Sequence, residues 1–183
     1  MPPCSRRSTL LALATGALLP RAALAQGTEK LPEEAKVGQL LQDAPMLGLN
    51  GPNRKLSDYR GRPLLINVWA SWCGPCRAEM ASLERLAWQE HAVPFAVIGI
   101  STDDYPERAQ QLLKATNATI SHFIDRKLQL ETLLGASRLP LTVLVDAQGR
   151  VVDKVYGARQ WDSPESRALV RDAFSARASA ARK

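Results

Sequence analysis

Cys73 and Cys76, held apart by Gly74 and Pro75 in the run SWCGPCRAE, are the residues whose types and spacing most directly do chemistry. Two thiols so placed can supply half of a metal site, close a small loop, or pass electrons to another disulfide. A structural zinc site needs four ligands. The two histidines, His91 and His122, lie on different expected elements and each reads as a lone surface side chain. A structural disulfide gains with the length of the loop it closes, and two intervening residues close almost none. The redox reading has positive support. The pair follows a buried apolar run and opens a helix, where unpaired amides and the helix dipole favour a thiolate, the form that attacks disulfides. Pro75 suits the first helical turn, where its missing N–H costs no hydrogen bond. Cys73 is expected to be the more exposed nucleophile, and Cys76, one turn inward, the resolving thiol.

Glu79 is the next candidate. At about 100° per residue, with Cys76 at zero, Glu79 lies near about −60°, within the arc that holds Met80, Leu83, Leu86 and Ala87. Arg77 and Arg85 point away from that arc. A carboxylate on the core-facing stripe has a raised pKa and opposes early thiolate formation. The rival role, a first-turn glutamate serving the helix dipole, does not account for its direction. Trp72 and Pro75 read as an exposed apolar patch for protein docking, and Trp69 as core.

The elements that position these residues alternate. MLGL, NGPN and RKLSDYRG read as a hairpin with an Asn-Gly turn signal, and Pro63–Ala70 as a strand buried on both faces. A helix from Pro75 to about His91, a strand over Val93–Ser101 and a helix over Pro106–Asn117 behind an Asp103-Asp104 cap follow. Then come a short strand at SHFI, a helix over Leu128–Leu134 stopped by Gly135, and a hairpin of Leu141–Asp146 with RVVDKVYG. The tail from Ser163 to about Ala178 reads as a last helix. This order implies one α/β domain around a mixed sheet.

The first 25 residues read as an export signal. MPPCSRR is a basic start, Ser8–Leu19 a twelve-residue, mainly apolar core, and Ala23-Leu24-Ala25 a cleavage site before Gln26. Twelve helical residues reach roughly 18 Å, short of the roughly 30 Å of a bilayer core. SRRSTL is also similar to a twin-arginine signal, with Thr9 where that pattern prefers a large apolar residue. Residues 26–43 read as a polar, mobile leader, 44–178 as the domain and 179–183 as a basic tail. The formal charge of +6 owes half its excess to Arg6, Arg7 and Arg21; without them 21 basic residues face 18 acidic ones. Nothing in that balance favours nucleic acid. Cys4 departs with the signal, leaving Cys73 and Cys76 alone in an oxidising compartment, the periplasm, where only maintenance keeps them reduced.

LSDYRGRPLLINVWASWCGPCRAEMASLERL, together with RLPLTVLVDAQGRVV, resembles the exported TlpA/ResA/CcmG-like thiol-disulfide oxidoreductases over roughly Ala44 to Gly157. The resemblance implies a thioredoxin-like fold: a central mixed β-sheet flanked by helices, with an N-terminal β-hairpin and a family-type insertion. With the redox reading above, Cys73–Cys76 is expected as a redox disulfide, with no cofactor and no bound metal. The resemblance also implies a cis proline at Pro140 that holds the Leu139 backbone against the dithiol, where a substrate strand pairs. Cytosolic thioredoxins carry a buried aspartate where this chain has Asn67, so a proton role is absent there or falls to Glu79, whose spacing the TlpA/ResA-like group shares. Ala81 stands where the family often has proline, and Leu139 and Leu141 make the flanks of Pro140 unusually apolar.

Gly-Pro is the spacer of thioredoxin, a reductant at about −270 mV against about −120 mV for DsbA, and a nearby Glu79 also disfavours the thiolate. The sequence therefore reads as a monomeric periplasmic reductant of protein disulfides. The resemblance implies substrates such as apocytochrome c or copper-site cysteines, and a membrane dithiol carrier of the DsbD/CcdA type as electron donor. A thiol oxidase or isomerase and a copper-binding module remain as alternatives. A peroxidase would need P-x3-[ST]-x2-C, which PLLINVWASWC lacks.

Overall fold

The computed structural model describes residues 31–89, 91 and 94–180, with only the backbone for 176–180. The expected export signal over 1–25 and the end of the basic tail lie outside the described residues. In chain order the elements are β1 (Pro45–Gly48), β2 (Arg54–Lys55), a 3-10 turn (Leu56–Tyr59), β3 (Leu64–Trp69), α1 (Gly74–Trp88) and β4 (Ala96–Ser101). Then follow α2 (Pro106–Ala115), β5 (Ser121–Ile124), α3 (Gln129–Leu134), β6 (Leu141–Val145), β7 (Val151–Tyr156) and α4 (Pro164–Ala180).

The strands form one mixed sheet in the order β2-β1-β5-β4-β3-β6-β7. β3, β4 and β5 run parallel, while β6 is antiparallel to β3 and β1 antiparallel to β5. The fold is thus the mixed α/β architecture expected. β3 is buried along its whole length because helices cover both faces, which is why its sequence runs apolar without alternation. Leu65 and Trp69 face α1, α2 and α4, through Leu83, Leu113 and Val170 among others. Leu64, Ile66 and Val68 face α3 and the N-terminal segment, through Leu130, Leu133, Ala35 and Leu41.

Three expectations change. Residues 34–41, read as part of a mobile leader, lie on the domain: Ala35 and Leu41 are buried, and Leu40 bridges Arg150 at the start of β7. The ordered domain therefore begins well before Ala44. Its attachment runs through backbone hydrogen bonds, which side-chain patterning does not reveal. Asp103 does not cap α2: that helix starts behind Tyr105 with no side-chain cap, and the Asp103 carboxylate turns toward Ser71 instead. His122 is buried within β5, its ring edge-on to Trp69 at 5.4 Å, not at the surface. It fits because Gly99, its neighbour across the strands, has no side chain; a Cβ there would meet His122 Nδ1 at 2.1 Å. His91 is half-buried, with Nε2 hydrogen-bonded to the Leu86 carbonyl at 2.8 Å. Among the described residues no helix is long and apolar enough to cross a membrane.

Candidate functional site

The chain leaves β3 at Trp69 and must turn sharply before α1 begins. Asp103, at the end of the adjacent β4, holds that turn: it accepts from Ser71 N at 2.8 Å and Ser71 Oγ at 2.6 Å, and from Ser101 Oγ at 2.7 Å. The Cys73 N–H closes the turn on the Ala70 carbonyl at 3.1 Å. Cys73 is then the N-cap of α1. Its Sγ accepts from the Cys76 N–H at 3.2 Å, satisfying one of the amides that a helix start leaves unpaired. Pro75 sits in the first turn, where no N–H is needed.

Cys73 and Cys76 are joined in a disulfide with Cα atoms 5.3 Å apart. Cys73 is the more exposed of the two, at 6% against 0% for Cys76, although both are buried by their surroundings. Beside them Trp72 stands 68% exposed, Gly74 and Pro75 are exposed, and Trp69 is fully buried. α1 runs unbroken past Ala81, which is exposed.

Glu79 lies one turn along α1 from Cys76 and is 1% exposed, on the inward face that the helical angle indicates. Three groups donate to its carboxylate: Asn67 Nδ2 to Oε1 at 2.8 Å, and the Arg159 N–H and Trp161 Nε1 to Oε2, each at 3.0 Å. Burial pushes the Glu79 carboxyl above its ordinary value, and the hydrogen bonds from Arg159, Asn67 and Trp161 oppose that shift only in part. Asn67 Nδ2 also donates to Thr142 Oγ1 at 3.1 Å, so β3 and β6 share the polar cluster. Ser82 fastens the outer wall, accepting from the Trp161 N–H at 3.0 Å and donating to the Glu79 carbonyl at 2.7 Å.

The Leu139–Pro140 peptide bond is cis. Leu139 packs against the cluster that contains both cysteines, and the Pro140 carbonyl accepts from the Gly157 N–H at 2.9 Å. The structure therefore brings Trp72, Cys73, Cys76 and Leu139 to one end of the sheet, with Glu79 and Asn67 directly beneath. Sequence reasoning missed Trp161, the Arg159 amide, Thr142 and the bracing role of Asp103. The signal that could have found Trp161 is a large aromatic in the loop between β7 and α4, where nothing else calls for one.

Residues 36–170 match the Redoxin family profile. The chain is 28% identical over 123 residues to the thiol-disulfide oxidoreductase ResA of Geobacillus thermodenitrificans, covering 66% of this chain and 70% of that protein. It is 29% identical over 119 residues to the thioredoxin-like protein YneN of Bacillus subtilis, covering 63% of this chain and 69% of that protein. A crystal structure from Chlorobium tepidum, described as a DsbE-type thiol:disulfide interchange protein, superposes with a TM-score of 0.68 at 26% identity. That alignment covers 78% of this chain and 98% of the other.

Proposed function

This chain belongs to the Redoxin family and is a TlpA/ResA/CcmG-like thiol-disulfide oxidoreductase of thioredoxin fold; from that premise we propose that it is an exported reductant of protein disulfides. The observation that carries the direction is Glu79, a buried carboxyl beneath a cysteine pair that caps a helix. A helix N-terminus by itself stabilises a thiolate and so favours the reduced protein, which makes an oxidant. A carboxylate held one turn from Cys76 works against that thiolate and makes the dithiol readier to give up its electrons.

In the reduced protein the Cys73 thiolate attacks one sulfur of a substrate disulfide, and the other sulfur leaves as a thiol after taking a proton. A mixed disulfide links Cys73 to the substrate. Cys76 passes its proton to Glu79 and attacks the Cys73 sulfur, closing the protein disulfide and releasing the second substrate thiol. Two electrons have moved from the dithiol to the substrate; the first departing sulfur takes its proton from solvent, and the second takes the Cys76 proton back from Glu79. Trp72, Leu139 and Pro140 line the approach, and the Leu139 backbone supplies strand-like hydrogen bonds to the bound segment. The reading takes the periplasm as the compartment, on the strength of the N-terminal sequence. It takes apocytochrome c or a copper-site protein as substrate, and a DsbD/CcdA-type membrane dithiol carrier as electron donor.

Trapping tests it. Cys76→Ala removes the resolving thiol, so the variant is expected to accumulate as a mixed disulfide through Cys73, with its partner identified by mass spectrometry after expression in the native host. Recovery of no disulfide-linked partner, together with tight Cu(I) binding by the reduced wild-type protein and no reductase activity, would replace this reading with a copper-binding one.

A further inference from the structure

Three segments meet at the disulfide end of the sheet: residues 70–77, which hold it, 135–140, whose Leu139 packs on the cysteine cluster, and 156–161, whose Gly157 N–H bonds the Pro140 carbonyl and whose Arg159 N–H bonds Glu79. Each carries one exposed arginine, Arg77, Arg138 and Arg159 in turn, and none of the three contains an aspartate or glutamate. The carboxylates closest in sequence are committed elsewhere. Glu79 is buried against Asn67, Trp161 and the Arg159 amide, and Asp162 pairs with Arg85. On the β4 side Asp103 is held by Ser71 and Ser101, which leaves Asp104 and Glu107 as the exposed acids, both toward α2.

Arg138 is also held in place. Its Cζ lies 5.4 Å from the centre of the Tyr156 ring, and the Tyr156 hydroxyl donates to the Gly135 carbonyl at 3.1 Å. A guanidinium stacked on an anchored aromatic ring loses less freedom when it pairs with a carboxylate, and its planar fork suits bidentate recognition. Next to Cys73 in the first of these segments stands the exposed indole of Trp72.

We propose that this surface selects its protein substrates by charge: the occupant is an extended polypeptide segment with Asp or Glu beside its disulfide, laid over Trp72 and bounded by Arg77, Arg138 and Arg159. The inference rests on the reductase reading and adds the substrate class. An acidic segment gains steering from the positive arginines and pairs with the stacked Arg138, whereas a basic segment meets repulsion with no acid in the three segments to relieve it. Because the arginines are solvent-exposed, the selection weakens as salt screens them.

The test measures rate constants for disulfide reduction by the full-length, pre-reduced protein. The substrates are two synthetic peptides that share one Cys-x-x-Cys disulfide and differ in flanking Glu or Lys residues, with bis(2-hydroxyethyl) disulfide as a small neutral substrate. At low ionic strength the Glu peptide is expected to react about tenfold faster than the Lys peptide, the ratio falling toward one in about 1 M salt. In the Arg138→Glu/Arg159→Glu variant the ratio should fall below one, and in Arg138→Gln/Arg159→Gln it should lie between. Each ratio is taken on one protein preparation, so a change in folding or in cysteine pKa cancels. Equal rates for the two peptides at low salt, or a preference unchanged in the charge-reversed variant, overturns the inference and leaves the reductase reading standing. No reduction of any of the three substrates removes the reductase reading and this inference with it.

Discussion

Glu79 has more donors than a carboxylate serving the helix dipole requires. Three hydrogen bonds favour its ionised form while burial favours the neutral one, and burial prevails, so the carboxyl titrates above its ordinary value. A group poised in that way can take a proton from Cys76 and return it. Glu79→Gln keeps the shape but removes the negative charge and the proton acceptor. The expected result is a lower cysteine pKa, read by pH-dependent alkylation, together with disulfide reduction slowed by on the order of a hundredfold near neutral pH. The wild-type rate should rise with pH as Glu79 ionises above its shifted pKa, and the variant should lack that limb. An unchanged alkylation curve would reduce Glu79 to a buried structural carboxylate. Its inward direction was legible from the helical angle, and Asn67 from its match to the buried aspartate of cytosolic thioredoxins. Trp161 was not, because it reaches Glu79 across 82 positions of chain from a loop without periodicity.

At the scale of elements, one rung of the sheet runs from Thr142 through Asn67 and Gly99 to His122. The glycine inside the otherwise branched AVIGIS strand is what makes space for the imidazole, and it was the readable sign of close approach. The strand SHFI is only four residues long, too short for alternation to show which face His122 takes, so its burial escaped the sequence reading. Among the described residues neither ring nitrogen of His122 has a partner, nor has Trp69 Nε1 beside it. Burial lowers the His122 pKa to about 4, and Glu84, the carboxylate facing it from α1, opposes this weakly. The folded state therefore prefers neutral His122, and the unfolded chain takes up its proton first as pH falls below the ordinary 6.5. Stability is full above about 6.5 and is lost toward 4; between pH 7 and pH 5 the loss from this group is about 2 kcal/mol. Glu79 has the opposite sign, since its raised pKa withdraws stability as pH rises above the ordinary carboxylate range. Urea unfolding at both pH values separates the two: His122→Gln, whatever its own stability, should lose about 2 kcal/mol less than wild type on acidification. Parallel losses in the two proteins would show that His122 does not titrate on unfolding.

Over the whole molecule, the central sheet and its helices were legible because their residues repeat with the periods of strands and helices, whereas the N-terminal segment has no such period. QGTEKLPEEAKVGQ is polar, yet from residue 34 onward it ties α3 to the far edge of the sheet. Ala35 N donates to the Leu133 carbonyl, Gly38 N to the Val151 carbonyl and Leu41 N to the Gly149 carbonyl, at 2.9, 2.8 and 2.8 Å. Val151 N returns a bond to the Gln39 carbonyl at 2.9 Å, and Glu34 pairs with Lys154 at 2.7 Å. The segment thus covers the start of β7, an edge strand whose unpaired backbone would otherwise be open to other chains. Within it Leu41 is the buried anchor, at 6% exposure among Leu56, Leu64 and Val151 of the same cluster. Leu41→Ala should lower unfolding free energy by about 2–3 kcal/mol, at the lower end of core leucine truncations because the site lies at the rim of the domain. A chain beginning at residue 42 should lose more, since it also gives up the backbone bonds to β7, and its exposed edge should promote concentration-dependent association. Denaturant midpoints for the two proteins, with light scattering for the truncated chain, check both statements. A truncated chain as stable and as monodisperse as one beginning at residue 31 would mean that the segment only rests on the domain without holding it.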